Sequence, residues 1–325
     1  MGDTGTPAAT TRMRAEDLDP DLRRPYRVAP PIAVRRAWQR RLANRAMRLM
    51  PPPRLAEGMT LEVVDFDVPA TGVRVFTPPG ASGAALVWIH GGGYVIGAAE
   101  MDDRACAGLA ARLGITVVSV QYRLAPAHPF PAPLDDCVAA WEWVQREAAG
   151  RGLDPELVAV GGQSAGGGLA AALAQRLADL GGTQPAAQLL YCPMLDDRTA
   201  ATRAHDARRH FAWSNRDNLV GWRSYLGAAP GAAEVPAYAV PARRADLAGL
   251  PPAWVGVGDI DLFHDEDVAY AEALRAAGVE VTTDVVPGAP HGFETIAWSS
   301  EMAKAFRRRA EEWLAARLGV ASNAS

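Results

Sequence analysis

Ser164 sits at the centre of Gly162-Gln163-Ser164-Ala165-Gly166, a Gly-x-Ser-x-Gly pentapeptide. A serine hydroxyl is a weak nucleophile until a neighbouring base takes its proton; it then attacks carbonyl carbon. The attack creates a tetrahedral oxyanion, for which donors must already be in place. His90-Gly91-Gly92-Gly93-Tyr94 offers them, because consecutive glycines let backbone N–H groups face a ligand without side-chain obstruction. We take the N–H groups of Gly92 and Gly93 as donors, with that of Ala165, directly after the serine, as the third. A glycine loop can also cradle phosphate, but here no Gly-x-Gly-x-x-Gly or Walker sequence with its lysine accompanies it. His90 reads as a residue that bonds the loop rather than as an acid or base.

Where a serine stands on a strand–turn–helix elbow, an acid and then a histidine follow it along the chain. Of the four histidines after Ser164, His205 and His210 fall in a segment that interrupts the strand–helix rhythm, and His264 begins a helix-like stretch. His291 lies in Val286-Pro287-Gly288-Ala289-Pro290-His291-Gly292-Phe293, a Gly/Pro loop after the last strand-like run, and is the favoured base. For the acid, Gly258-Asp259-Ile260-Asp261 follows another strand-like run and offers two carboxylates. Asp261 lies deeper in the loop, whereas Asp259 fits equally a cap of the turn or of the next helix.

These groups need a frame. The short apolar run Leu157–Gly161 precedes the pentapeptide and a run of small helix formers follows it, which gives the elbow its context. Helical spacing of Ile32, Val34, Trp38, Leu42, Ala46 and Leu49 predicts helix within Leu18–Leu49, ended by Pro51-Pro52-Pro53. Leu61–Val68 and Gly72–Thr77, joined by the turn-like Pro69-Ala70-Thr71-Gly72, predict an antiparallel pair at a sheet edge. Strands at Ala84–His90, Ile115–Val120, Leu157–Gly161, Ala187–Tyr191, Ala253–Val257 and Val279–Val286 then alternate with helices at Asp102–Leu113, Leu134–Glu147, Ala165–Asp179, Asp265–Ala277 and Met302–Leu318. That alternation predicts an α/β fold, a mostly parallel sheet with helices on both faces. Residues 196–250 fit no strand and read as an inserted helical cap. There Trp213, Trp222 and Tyr225 suit an acyl or alcohol pocket and a core equally; with Tyr94, Trp213 and Trp222 are the candidate substrate contacts.

Bulk composition narrows the function. With 49% hydrophobic residues and a net charge of −4, the 325-residue chain can bury a large core and has no basic block for a phosphate backbone, so nucleic acid is not an expected partner. Arg35-Arg36 and Arg40-Arg41 read as the wet face of a helix, with membrane-surface contact as the lesser reading. Cys106, Cys137 and Cys192 are widely spaced, without a Cys-x-x-Cys pair or metal-ligand spacing, so we expect free thiols in a reducing compartment and no metal. Met1–Ala15 lacks the apolar core of a signal peptide, and no apolar run is long enough to span a membrane. Met1–Thr6 matches the loose myristoylation pattern, to which the polar composition gives little weight. The expectation is a cytoplasmic protein from a GC-rich bacterial genome, with a disordered leader over 1–16 and a short tail over 321–325.

Taken in order, His90–Tyr94, Tyr122-Arg123-Leu124-Ala125-Pro126 with His128-Pro129-Phe130-Pro131, Gly162–Gly167, Asp261-Leu262-Phe263 with Asp265-Glu266, and His291-Gly292-Phe293 resemble the bacterial hormone-sensitive-lipase-like (family IV) carboxylesterases of the α/β-hydrolase superfamily. The resemblance covers roughly residues 18–318. It implies that Asp261 is the acid, and that residues 17–55 join 196–250 as a cap over a core made of 56–195 and 251–320. It further implies a Ser164–His291–Asp261 triad acting through an acyl-enzyme on short- to medium-chain soluble esters, with no cofactor, and it makes a homodimer plausible. Other readings are a specialised deacylase, lactonase or amidase and, less favoured, a non-catalytic small-molecule-binding protein on this scaffold. Gln163, Gln121 and Ala127 depart from the family's usual acidic residues. Their loss bears on how the loops are supported; Arg123, Asp135 and Asp136 read as structural ties.

Overall fold

A computed structural model describes residues 11–29, 34–68 and 70–322. Eight strands form one sheet: β1 (Thr60–Asp65), β2 (Gly72–Thr77), β3 (Ala85–Ile89), β4 (Thr116–Gln121), β5 (Val158–Gln163), β6 (Gln188–Tyr191), β7 (Ala253–Gly258) and β8 (Val281–Val286). Their order is β8-β7-β6-β5-β3-β4-β2-β1; β2 pairs antiparallel with both β1 and β4, and the other pairs are parallel. The α/β class and the antiparallel edge are as expected from the sequence, within a residue or two at most boundaries.

Alternation within the strands divides the core. Val87 and Ile89 of β3, Val118 of β4 and Val160 of β5 face α4 (Ala132–Arg151), α5 (Ala165–Leu180) and α8 (His264–Ala276). Leu86, Trp88, Val117 and Ala159 point the other way, to α3 (Asp103–Leu113) and α10 (Glu301–Leu318). Strands buried on both faces read as continuous apolar runs, as β3 does. The ties read as structural are in place: Arg123 clasps Asp136 at 2.6 Å and Arg176 holds Asp135 at 2.5 Å.

Between β6 and β7 the chain leaves the sheet for 196–250, which holds α6 (Asp197–Ala201) and α7 (Asn215–Leu226). Buried Asp197 pairs with Arg243 at 2.7 Å, which ties the two ends of this segment together. Its first residues hang from the buried Glu266, whose carboxylate accepts from the Leu195 and Asp196 N–H groups at 2.8 and 3.1 Å. One strand does occur there, contrary to expectation: Arg208–Arg209 pairs in parallel with Thr11–Arg12. The described part of the expected leader is therefore not structureless, since that pairing and a 3-10 turn at Ala15–Asp17 hold it. The myristoylation pattern, and the Ile32 and Pro69 positions, lie outside the described residues.

The N-terminal helices are α1 (Pro20–Val28) and α2 (Ala37–Arg48). The helix expected from the spacing is present, but its apolar positions are not its buried side. Trp38, Leu42 and Leu49 face solvent at 58%, 62% and 73% exposure, while Ala43 and Met47 pack inward. Asn44 decides the rotation: its amide donates to the Val95 carbonyl at 3.3 Å and accepts from the Gly97 N–H at 3.1 Å.

A tight joint lies where α5 begins. A Cβ on Gly166 would stand 2.0 Å from the Ile89 carbonyl oxygen, with backbone that cannot swing aside. Gly166→Ala is expected to cost about 1–3 kcal/mol of stability or more, by overpacking. Urea denaturation checks this, and an unchanged midpoint would refute the close contact.

Candidate active site

The residues singled out by the sequence stand at the carboxyl ends of four parallel strands, the side of an open α/β sheet where ligands bind. Ser164 follows β5, the glycine loop follows β3, Asp261 follows β7 and His291 follows β8. Ser164 takes φ 55° and ψ −121° as α5 starts, a conformation that costs on the order of 1–3 kcal/mol and is held by its surroundings. The Ser164 N–H donates to the Tyr191 carbonyl at 2.8 Å, and the Ser164 carbonyl accepts from the Gly168 and Met194 N–H groups at 3.0 and 2.9 Å.

The Ser164 Oγ lies 2.9 Å from His291 Nε2, and His291 Nδ1 lies 2.8 Å from Asp261 Oδ2. The other Asp261 oxygen accepts from the Phe263 N–H at 3.0 Å, and the Phe263 ring stands edge-on to the imidazole. With Nδ1–H donated to Asp261, Nε2 is left to accept the serine proton. Asp259 is elsewhere engaged, accepting from the Gly288 N–H at 2.7 Å. Burial alone would lower the His291 pKa, but the adjacent Asp261 carboxylate and, more weakly, Glu294 raise it above the ordinary histidine value.

The glycine loop is held from beneath. Tyr122 donates to the His90 carbonyl at 2.9 Å and its ring stacks on the imidazole of His90. His90 Nδ1 donates to the Gly91 carbonyl at 2.8 Å, and burial lowers its pKa to about 4, so it stays neutral and structural, as its position suggested. Gly92 and Gly93 adopt φ of 115° and 59°, and the N–H groups of Gly92, Gly93 and Ala165 have no acceptor among the described residues. The Gly92 carbonyl takes the Val95 and Ile96 N–H groups at 3.1 and 3.0 Å, which turns the peptide.

Of the three candidate substrate contacts, Trp213 meets the loop: its indole lies over Gly93, where a Cβ would clash at 2.3 Å. Tyr94 and Trp222 form, with Tyr225, a buried aromatic layer behind the loop, and Tyr94 donates to the Met194 carbonyl at 3.1 Å. A cavity of about 740 Å³ opens nearby, lined by Tyr26, Phe211, Ala212 and Ile296 with Arg27 and Arg209.

Some groups escaped the sequence reading. Tyr26 of α1 donates to the His291 carbonyl at 2.8 Å. Gln163 donates to the buried carboxylate of Glu294 and, at 3.1 Å, to Thr295 Oγ1, joining the residue before the serine to the turn after the histidine. Gln121, another departure from the family pattern, accepts the Ala99 N–H at 2.9 Å. Both glutamines thus support loops; nothing in the structure gives Ala127 such a role. The sequence flagged Gln163 and Gln121, but Tyr26 carries no local signal.

Cys192 completes the wall, with its Sγ within 4.8 Å of ligand-type atoms of Asp261 and His291. Burial pushes its thiol well above the ordinary range, so it stays protonated. All three cysteines are free and buried. Among the described residues, no helix is long and apolar enough to cross a membrane.

Residues 86–295 match the model of a family described as alpha/beta hydrolase fold. Esterase LipI of Mycobacterium tuberculosis is 36% identical over 255 residues, covering 76% of this chain and 79% of its own length. A solved bacterial heroin esterase superposes with a TM-score of 0.82 at 34% identity, over 93% of this chain and 98% of that one. An esterase described as from the bacterial hormone-sensitive lipase family matches with a TM-score of 0.73 at 30% identity, over 93% and 99%. With the elbow, the glycine loop and the Ser164–His291–Asp261 contacts on one scaffold, the chain belongs to the hormone-sensitive-lipase-like carboxylesterases of the α/β-hydrolase fold.

Proposed function

We propose that this carboxylic ester hydrolase cleaves short- to medium-chain esters through Ser164, with His291 as base and Asp261 as its orienting acid. The observation that carries this reading is the continuous relay, 2.9 Å from serine to imidazole and 2.8 Å on to the carboxylate. His291 Nε2 takes the serine proton as Oγ bonds to the ester carbonyl carbon. The oxyanion accepts from the Gly92, Gly93 and Ala165 N–H groups, each worth about 10²–10³ in kcat where such donors have been removed singly. Collapse breaks the bond to the alcohol oxygen, which takes the proton from His291. Water, deprotonated by the same imidazole, then attacks the acyl carbonyl; collapse breaks the bond to Ser164 Oγ, which takes the proton back from His291 as the acid leaves.

Every proton passes between His291 and Ser164, the leaving alcohol or water, so the cycle requires no cofactor. Trp213 over Gly93 forms the wall against which the acyl or alcohol group rests. The three buried thiols support a reducing, cytoplasmic setting, and similarity to a mycobacterial esterase supports a bacterial origin.

Ser164→Ala is expected to lower kcat on nitrophenyl butyrate by about 10⁴-fold or more, with the fold intact by circular dichroism. Retention of most activity would remove Ser164 from the mechanism. A series of nitrophenyl esters should give its best kcat/KM between acetate and octanoate; a maximum at palmitate, or faster turnover of lactones or anilides, would redirect the substrate assignment.

The acid limb of kcat/KM has its own test. His291 works as a base only when neutral, so activity rises with pH through its pKa. Glu294 favours the imidazolium, so Glu294→Gln is expected to move that midpoint to lower pH. A midpoint that stays put or rises would show that Glu294 carries no charge felt by His291.

A further inference from the structure

Residues 34–54 contain Arg35, Arg36, Arg40, Arg41, Arg45 and Arg48, then Arg54, and no aspartate or glutamate. This basic run belongs to a chain whose net charge is −4. The same stretch concentrates the exposed apolar surface. Of nine large apolar side chains exposed among the described residues, four lie here: Trp38, Leu42, Leu49 and Met50. On α2, at 3.6 residues per turn, Trp38, Leu42 and the capping Leu49 project within about 40° of one line. The opposite side is the one fastened to the protein, by Asn44 to Val95 and Gly97 and by the packing of Ala43 and Met47. The outward stripe is therefore fixed in direction by contacts on the inward face.

Arg41 and Arg45 rise beside this stripe; they, and Arg48 at the helix end, have no acidic partner among the described residues. An apolar stripe bordered by unpaired arginines fits a surface that offers phosphate oxygens above hydrocarbon. Each arginine stem can lie along the apolar zone while its head stays at the phosphates. An indole suits the same boundary. We propose that α2 docks this protein, peripherally and without spanning, on membrane surfaces rich in anionic lipid. Gln39 and Arg36 on the neighbouring flank line the cavity beside Tyr26, so docking would set that cavity's mouth at the lipid surface. This surface is independent of Ser164.

The test is vesicle flotation with the full chain. Vesicles of equal parts phosphatidylglycerol and phosphatidylcholine are expected to carry the protein, and pure phosphatidylcholine vesicles to leave it behind. Binding should fade at 1 M salt, where the screening length falls to about 3 Å. Arg41→Gln with Arg45→Gln is expected to weaken binding about thirty-fold, and Trp38→Ser with Leu42→Ser roughly tenfold or more. Both doubles should keep wild-type hydrolysis of soluble nitrophenyl butyrate, which shows that they fold. Bromine-labelled acyl chains should quench part of the fluorescence, and Trp38→Phe should remove that part.

Equal binding to neutral and anionic vesicles would overturn the proposal, as would anionic binding that survives both doubles. So would failure to float together with a dimer in light scattering that Trp38→Ser with Leu42→Ser dissociates, since the stripe would then be covered by a second copy of the chain. Ser164→Ala should bind vesicles like the wild type, which separates failure of this proposal from failure of the hydrolytic mechanism.

Discussion

The first turn of α5 presses on the end of β3 so closely that the carbonyl oxygens of Ile89 and His90 occupy the space a side chain on Gly166 would need. This contact links two pieces of chain that must cooperate. β3 delivers the glycine loop and β5 delivers Ser164, and Ile89 lies opposite Gly162 in the sheet register. In the proposed mechanism, the Ala165 N–H at the start of α5 and the glycine loop after β3 act on the same oxyanion. Any widening of this joint would move Ser164 away from the glycine loop, and so from the donors proposed for it, before it affected the distant core.

Around that joint, supports that often carry a carboxylate in this family are glutamines. Gln163 bridges to Glu294 and Thr295, and Gln121 receives the Ala99 N–H. An amide both donates and accepts, so Gln163 can hold a buried carboxylate on the neighbouring turn, where an acidic residue would repel it. The carboxylate beside the elbow is that of Glu294, on the turn that follows the histidine. Glu294 is itself pushed up by burial and partly held down by His291 and Gln163.

Much of the site was legible because its parts are local. An elbow, a glycine loop and a Gly/Pro turn each need particular residue types at adjacent positions, so Ser164, Gly92, Gly93 and His291 declare themselves. Asp261 and Asp259 were separable only by depth in one loop; the structure directs Asp261 to His291 and Asp259 to the Gly288 N–H. Periodicity found α2 but not its rotation. Apolar spacing suggests a buried stripe, and two hydrogen bonds from Asn44 turn that stripe outward. Tyr26 left no trace in the pattern, since its bond to His291 spans 265 positions. The short pairing of Thr11–Arg12 with Arg208–Arg209 joins equally distant, strongly polar pieces that periodicity does not mark as strands.

Distance along the chain also sets an order in time. His291 lies 127 residues beyond Ser164, so during synthesis the residues of the elbow and the glycine loop leave the ribosome well before the imidazole does. The growing chain carries a serine that nothing can activate, and the relay closes only when β8 has joined the sheet edge. Tyr26, made before both, then fastens the histidine turn in place. The capacity to cleave an ester by this relay thus certifies that two remote parts of the chain, the helix of Tyr26 and the turn of His291, have met.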